Sequence, residues 1–365
     1  MQKEQITDKE AIYLLIIFII GSSLILGIGG DVKNDSWISG IIGILMFVPM
    51  MLIYSRMLYI FQGEDLFDIL HLTFGKVIGK IVAILYILYA FHLGALVLRN
   101  FGEFINTVAM PETPILVPMI SIGIVGIITA SLGIEVLART TTFFLPILFF
   151  ILIVVQVIAI PELHINYIKP ILGNGLAPVL KGGFSTFSFP FAETVLLLGV
   201  FSSLKTKKSP FKVYSLGILI SGIIIIIITI RNITVLGNML GSFYFPSYQA
   251  VGKVNIGDFF QRIEVTVAIV FTYGVFAKSS ICLLVTCKGF AKVLNIRDYR
   301  TIVLQTGLLM IYFSYIIYDN IMTMKYWAFK IYPYYAFPFQ VILPVVIWIF
   351  AEIKVRKNKR GKLKK

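Results

Sequence analysis

Hydrophobic residues in this chain fall in ten long runs separated by short connections. Taking about 20 apolar residues per bilayer crossing, the segments read as Ala11–Gly29, Trp37–Tyr54, Val77–Val97, Ile115–Leu132 and Thr140–Ile160 in the first half. Gly183–Leu204, Val213–Ile230, Ile263–Thr286, Thr301–Tyr318 and Tyr334–Phe350 make up the second. The pattern predicts an all-α polytopic membrane protein with one integral domain. Its two repeats of five run over about residues 9–160 and 183–353 and are followed by a basic tail, 354–365.

The first and sixth segments, which open the two halves, are both interrupted. Segment one carries Gly21-Ser22-Ser23 and then Gly27-Ile28-Gly29-Gly30, and segment six carries Ser185-Thr186-Phe187-Ser188-Phe189-Pro190 followed by Glu193. Backbone freed at membrane depth must be satisfied by protein or by a cavity, so paired interruptions suggest a binding site near the midplane. Freed N–H groups at half-helix starts suit a carboxylate and freed carbonyls suit an ammonium. Gly21, Ser22 and Gly27 with Thr186, Phe187, Ser188 and Phe189 are thus candidate ligand contacts for a free amino acid. The competing reading is close helix packing through small residues, with no ligand.

Composition agrees with the pattern: 58% of the 365 residues are hydrophobic and 14% charged, and mean hydropathy is +0.92. A soluble core cannot absorb that much apolar surface. The first run is too long for a signal-peptide core and lacks a cleavage site, so it reads as a retained span. The net charge of +14 does not point to nucleic acid. It gathers at Lys205, Lys207, Lys208 and Lys212, at Lys288, Lys292, Arg297 and Arg300, and from Lys354 to Lys365. Counting spans alternately puts all three groups on one side, which predicts cytoplasmic termini and a tail suited to an anionic bilayer. Cys282 and Cys287 read as packed small residues, and three scattered histidines make no metal site. With no nucleotide loop, zinc spacing or catalytic triad, no enzyme and no cofactor are expected.

Two ionisable residues lie deep in the apolar segments. Glu193, about 13 Å into segment six, reads as a ligand or proton site, one half of a structural ion pair, or a protonated carboxyl bonded to backbone. Lys278 in segment eight is its natural counter-charge, or could stand where ion-coupled transporters bind a cation. Counting 1.5 Å per residue puts it about 9 Å deeper than Glu193, so snorkelling to the interface is the alternative to a direct pair. Arg99 and Glu103, four apart, could pair on one helix face. Arg262 and Glu264, two apart, are expected to find separate partners, with Arg231 and Asp258 as candidates. His92 is expected to face the bundle interior, and Phe61–Gly79, with Glu64, Asp65, Asp68 and His71, to lie as an amphipathic helix on the membrane surface.

Several short stretches, in order along the chain, together resemble one family. They are Gln5-Ile6-Thr7, Pro161-Glu162-Leu163 with Pro170 and Gly175, Phe187 through Glu193, Leu236-Gly237 with Tyr244 to Pro246, Ile256-Gly257-Asp258-Phe259, Arg262-Ile263-Glu264 and Lys278-Ser279-Ser280. On ten spans they resemble the B subunit of the nutrient germinant receptors of bacterial endospores, a branch of the amino acid–polyamine–organocation superfamily. The resemblance implies an inverted-repeat transporter fold that binds a small germinant, usually an amino acid, between spans one, three, six and eight. It implies A-type and C-type subunits as partners and residence in the inner spore membrane. It adds the stretch around Thr272 and Tyr273 to the pocket lining. Ala192 departs from the pattern, since relatives often have glycine there; that would stiffen the break and narrow the site.

Overall fold

A computed structural model describes residues 4–254 and 262–363. Asp258 and the Ile256–Phe259 stretch, like Lys364 and Lys365 of the tail, lie outside the described residues. Ten helical crossings follow one another: α1 (Asp8–Leu26), α2 (Ser36–Ile60), α3 (Leu66–Val108), α4 (Leu116–Leu132), α5 (Ile134–Ile158), α6 (Leu176–Thr186), α7 (Ser209–Leu236), α8 (Glu264–Leu294), α9 (Val303–Ile316) and α10 (Ile321–Arg356). Seven of them are long and apolar enough to cross a membrane by length and composition. The others are the shorter α4 and α9 and the discontinuous α6.

Helix α1 starts at a capping box: Thr7 Oγ1 accepts from the Glu10 backbone N–H (3.3 Å), and Glu10 Oε2 accepts from the Thr7 N–H (2.7 Å). From Ala11 to Leu26 nearly every side chain is buried. A helix apolar on all sides belongs in the middle of a bundle, and α7, α8 and α5 surround it. Lipid-facing helices differ: α5 exposes Phe143, Phe150 and Ile153 on one side. The packing partners repeat between the halves. α1 packs on α7 as α6 packs on α2, and α4 packs on α8 as α9 packs on α3, the pattern that two inverted repeats produce.

Helix α1 does not break at Gly21-Ser22-Ser23. It stays helical to Leu26 and ends at Gly27 (φ +76°), with Gly29 at φ +83°. Gly21 instead allows backbone contact with α8: a Cβ on Gly21 would sit 2.7 Å from Gly274 Cα, and one on Gly274 2.2 Å from Gly21 Cα. The small residue serves packing at this point. A second expectation is also corrected. The Leu66–Phe74 arm, set off from the rest of α3 by a kink at Gly75 (φ +79°), does not lay its apolar face on lipid. Leu66, Phe67, Ile69 and Leu70 are buried in the protein, with the Phe67 ring against Gly289 of α8.

The extended segment before α1 packs across the face where the chain begins. Ile6 N–H donates to Ser203 O (3.1 Å) and Gln5 N–H to Glu135 Oε1 (2.6 Å). Glu4 pairs with Lys288 (3.1 Å) and Arg300 (3.6 Å). Three residues, Glu4, Gln5 and Ile6, thereby tie the start of α1 to α5, to the end of the sixth crossing, to α8 and to the entry of α9.

Candidate functional site

The break in the sixth crossing has a local cause. Proline lacks an N–H and pushes the residue before it out of the helical region. Phe189, before Pro190, is extended (φ −124°, ψ 116°) within a wide turn, Phe187–Phe191, and a tight 3₁₀ helix, Ala192–Gly199, completes the crossing. Thr186 joins this break to that of α1: its Oγ1 donates to Gly182 O (2.9 Å) and accepts from Gly29 N–H (3.2 Å).

Below the break runs a buried polar chain. Lys278 Nζ donates to Glu193 Oε2, and Tyr332 O–H donates to Glu193 Oε1 (2.6 Å). The Tyr332 proton is committed to the carboxylate, so Tyr89 donates to Tyr332 across 3.0 Å. Gln340 Nε2 donates to Tyr89 Oη (2.9 Å) and to Ser188 O (3.0 Å), and Ser188 Oγ donates to Gln340 Oε1 (2.9 Å). Tyr54 O–H donates to Gln340 O (2.5 Å). One directed set of bonds therefore links α2, α3, the α6 break, α8 and α10, with every side chain buried. Lys278 also lies 4.9 Å from the Phe18 ring centroid and 5.2 Å from that of Phe189, a favourable place for a desolvated cation.

Of the alternatives for Glu193 and Lys278, the structure forms the direct pair. The expected 9 Å offset is shortened by roughly 3 Å because the chain from Phe189 onward is not α-helical, and the long lysine stem covers the rest. An extended residue and a 3₁₀ rise of about 2.0 Å carry it further along the membrane normal. Tyr332, Gln340, Tyr89 and Tyr54 were not singled out in the sequence. An uncharged amide inside the apolar tenth segment was the available signal for Gln340. The tyrosines gave none, being 3 of 18.

A small cavity of about 30 Å³ opens beside this chain, bounded by Leu26, Asn100, Phe189, Glu193, Trp327 and Tyr332. It has room for one or two waters. A vestibule of about 390 Å³ lies past the C-terminal end of α1, lined in part by Leu26, Gly27, Asn232 and Phe329. Leu26 borders both spaces. The wall is completed by α10, whose Trp327–Ile331 turn is wide and puts Trp327 on the inner side and Phe329 on the outer. Trp327 Nε1 is buried with no hydrogen-bond partner, as is Nδ1 of His92; the two rings lie 5.8 Å apart. His92 is half-buried against Phe313, Trp327 and Tyr335.

Among the candidate ligand contacts, Phe189 and Glu193 reach the inner cavity and Gly27 reaches the vestibule. Thr186 and Ser188 hold the break, and Phe187 packs on Phe47. Gly21 lies in the α1–α8 contact, and the buried Ser22 hydroxyl has no partner. Thr272 and Tyr273 line neither space. Thr272 Oγ1 donates to Ala268 O within its own helix, and Tyr273 turns to Thr141 and Phe144 of α5. At 100° per residue, Tyr273 sits about 140° around α8 from Lys278. Arg99 pairs with Glu103 (2.9 Å) and donates to Tyr315 O (2.5 Å), as their spacing suggested. Among the described residues Arg262 and Glu264 approach each other at 3.8 Å, while Asp258, one of the expected partners, lies outside them. Arg262 has φ +69° and precedes the helix, so helical spacing does not govern the two.

Comparison with known proteins fits this geometry. The family model described as spore germination protein matches residues 5–322. Spore germination protein KB of Bacillus subtilis (strain 168) is 27% identical over 367 residues, covering 99% of this chain and 98% of that one. Spore germination protein A2 of the same organism is 26% identical, covering 88% and 87%. Among solved structures, the nucleobase-cation-symport-1 transporter Mhp1, closed with bromovinylhydantoin bound, superposes with a TM-score of 0.66 over 92% of this chain and 79% of its own at 12% identity. MhsT in complex with L-phenylalanine gives 0.61 over 91% and 87%, also at 12%. The fold is therefore that of the LeuT-like transporters, with discontinuities in the first and sixth crossings. An integral membrane protein with ten crossings, matched from Gln5 to Met322, this chain belongs to the spore germination protein family.

Proposed function

We propose that the chain is the membrane subunit of a spore nutrient receptor, and that the cavity beside the α6 break opens to hold a small germinant, an amino acid in the first instance. The observation that carries this is the extended backbone at Phe189, set between a buried, charged hydrogen-bond network and a small cavity beside it. A cavity of about 30 Å³ admits no amino acid, so the structure corresponds to a closed packing and binding requires a second one. A ligand shifts such an equilibrium only by its differential affinity for the two. In the open packing the C-terminal carbonyls of α1 would face the germinant's ammonium, and the unpartnered Trp327 N–H its carboxylate. Gly21, Ser22, Thr272 and Tyr273 then act through the seating of α1 and α8.

The germination proteins it resembles support a signalling role in the inner spore membrane, with both termini cytoplasmic and A-type and C-type subunits as partners. The two repeats would supply the moving halves. Likeness to Mhp1 and MhsT favours a second reading, a proton- or sodium-coupled amino-acid permease. A third is a germinant-gated channel subunit. Against sodium coupling stands Lys278, a built-in cation at the centre of the bundle.

The test is deletion of the gene, with germination and uptake followed separately. Loss of nutrient-triggered germination with unchanged amino-acid uptake in growing cells supports the receptor. Uptake by this chain alone in proteoliposomes would replace it with the permease, and a germinant-gated current from the assembled complex with the channel. Glu193→Gln at normal subunit level should alter the germinant response; an unchanged response removes the network from the mechanism.

A further inference from the structure

Three tyrosine hydroxyls hold the irregular segments around the inner cavity to the regular helices beside them. Pro338–Ile342 of α10 is a wide turn in which Leu343 N–H reaches back to Pro338 O. Pro344 follows, and it has no N–H to offer the carbonyls four and five residues before it, Gln340 O and Phe339 O. Both accept from a tyrosine: Tyr54 O–H of α2 donates to Gln340 O (2.5 Å), and Tyr86 O–H of α3 donates to Phe339 O (3.0 Å). The 3₁₀ part of the sixth crossing is held in the same way, with Tyr214 O–H of α7 donating to Thr194 O (2.9 Å). All three tyrosines are fully buried, where a carbonyl deprived of its donor is costly.

Tyr54 holds a particular place among them. Its hydroxyl also lies 3.4 Å from Ala192 O, so of the three it alone reaches both irregular segments. Its ring meets that of Tyr214 edge-on, with 6.1 Å between centroids. The two segments it joins are the ones that wall the inner cavity, Phe189 and Glu193 coming from the sixth crossing and Trp327 and Tyr332 from α10. Only side-chain bonds tie these segments to α2, α3 and α7 at this level, and such bonds can part without unwinding a helix.

We infer that Tyr54 is a positioning residue for the inner cavity: it clasps α10 to the sixth crossing, and the cavity enlarges only when that hydroxyl lets go. Tyr86 and Tyr214 each fix one of the two segments. The clasp itself stands on geometry, whereas the germinant threshold it sets rests on the function proposed above.

The test uses the full chain in lipid nanodiscs, without ligand, and follows amide hydrogen exchange by mass spectrometry. Each Tyr→Phe variant keeps the ring and removes one donor. Tyr54→Phe should speed exchange about tenfold in peptides covering both 187–199 and 338–343. Tyr86→Phe should do so only in 338–343, and Tyr214→Phe only in 187–199. Ser314→Ala, which removes a buried hydroxyl donating to Ile311 O within α9, should change neither segment. Melting temperature, followed by the reaction of the buried thiols of Cys282 and Cys287 with a fluorogenic maleimide, separates local release from a general loss of stability. In spores carrying Tyr54→Phe at normal subunit level, the twenty amino acids titrated as one mixture should act at about tenfold lower concentration, with the maximal rate unchanged. Should Tyr54→Phe fail to fold, the Tyr86→Phe and Tyr214→Phe pair decides, since each loosens one segment and spares the other. Exchange unchanged in all variants, raised equally along the whole chain, or raised in the segment a tyrosine does not touch would overturn the clasp. The expected exchange pattern with an unmoved threshold supports the clasp and overturns the germinant reading instead, so the two fail separately.

Discussion

Replacing Lys278 with methionine keeps most of the stem that packs between Phe18 and Phe189 and removes only the charge that meets Glu193. The carboxylate would be left fully buried with one donor, Tyr332 O–H at 2.6 Å. Removing one member of a buried pair costs about 3–5 kcal/mol, a large share of a typical stability of about 5–15 kcal/mol. At roughly 2 °C per kcal/mol for a chain of this size, the melting temperature should fall by about 6–10 °C. The double variant Lys278→Met, Glu193→Gln leaves no buried charge, and the glutamine can still accept from Tyr332, so it should recover most of the loss. Thermal unfolding of the four chains of this cycle, read by exposure of the two buried thiols, gives the coupling directly. A single variant within about 1 °C of the wild type, or a double variant equal to the sum of the singles, would refute the pair as a structural keystone.

Three further outcomes follow from the geometry. Gly274→Ala forces a Cβ to 2.2 Å from Gly21 Cα and should destabilise by at least about 1–3 kcal/mol, measured by the same unfolding assay. Trp327→Phe removes an N–H that has no partner in the closed packing; it should leave stability within about 1 kcal/mol while weakening the germinant response in spores. Asp65, in the loop before α3, caps that helix from 2.9 and 3.0 Å. Burial, and then the Asp68 carboxylate, raise its carboxyl from 3.8 to about 6. The folded chain therefore binds that proton more tightly than the unfolded one, and stability should fall as pH rises from about 4 to 6, by up to about 3 kcal/mol. Asp65→Asn keeps the cap and should flatten this slope in melting curves taken across the window.

The sequence made the membrane architecture plain because each crossing is a block of apolar residues whatever its neighbours. The break in the sixth crossing was equally readable: Pro190 dictates the backbone of Phe189 by local sterics alone. Gly21-Ser22-Ser23 was misread because glycine has two uses in a membrane helix, and only the position of Gly274 on α8 separates them. Glu193 and Lys278 stood out as charges in apolar runs, yet their pairing depended on a rise per residue that changes at the break. Tyr89, Tyr332 and Gln340 come from segments far apart in the chain, and no local pattern brings them together. Thr272 and Tyr273 entered through resemblance; the helical phase relative to Lys278 turns Tyr273 towards α5, and Thr272 bonds within its own helix.

The central claim is that the discontinuity at Phe189 and its polar network form a germinant pocket with a closed and an open packing. It is tested most directly by a cryo-EM map of the receptor complex at saturating amino acid germinant. The account predicts density for the amino acid among Phe189, Glu193, Trp327 and Tyr332, with Trp327 withdrawn from Leu26 and the cavity enlarged. An unchanged 30 Å³ cavity with the germinant bound elsewhere would contradict it.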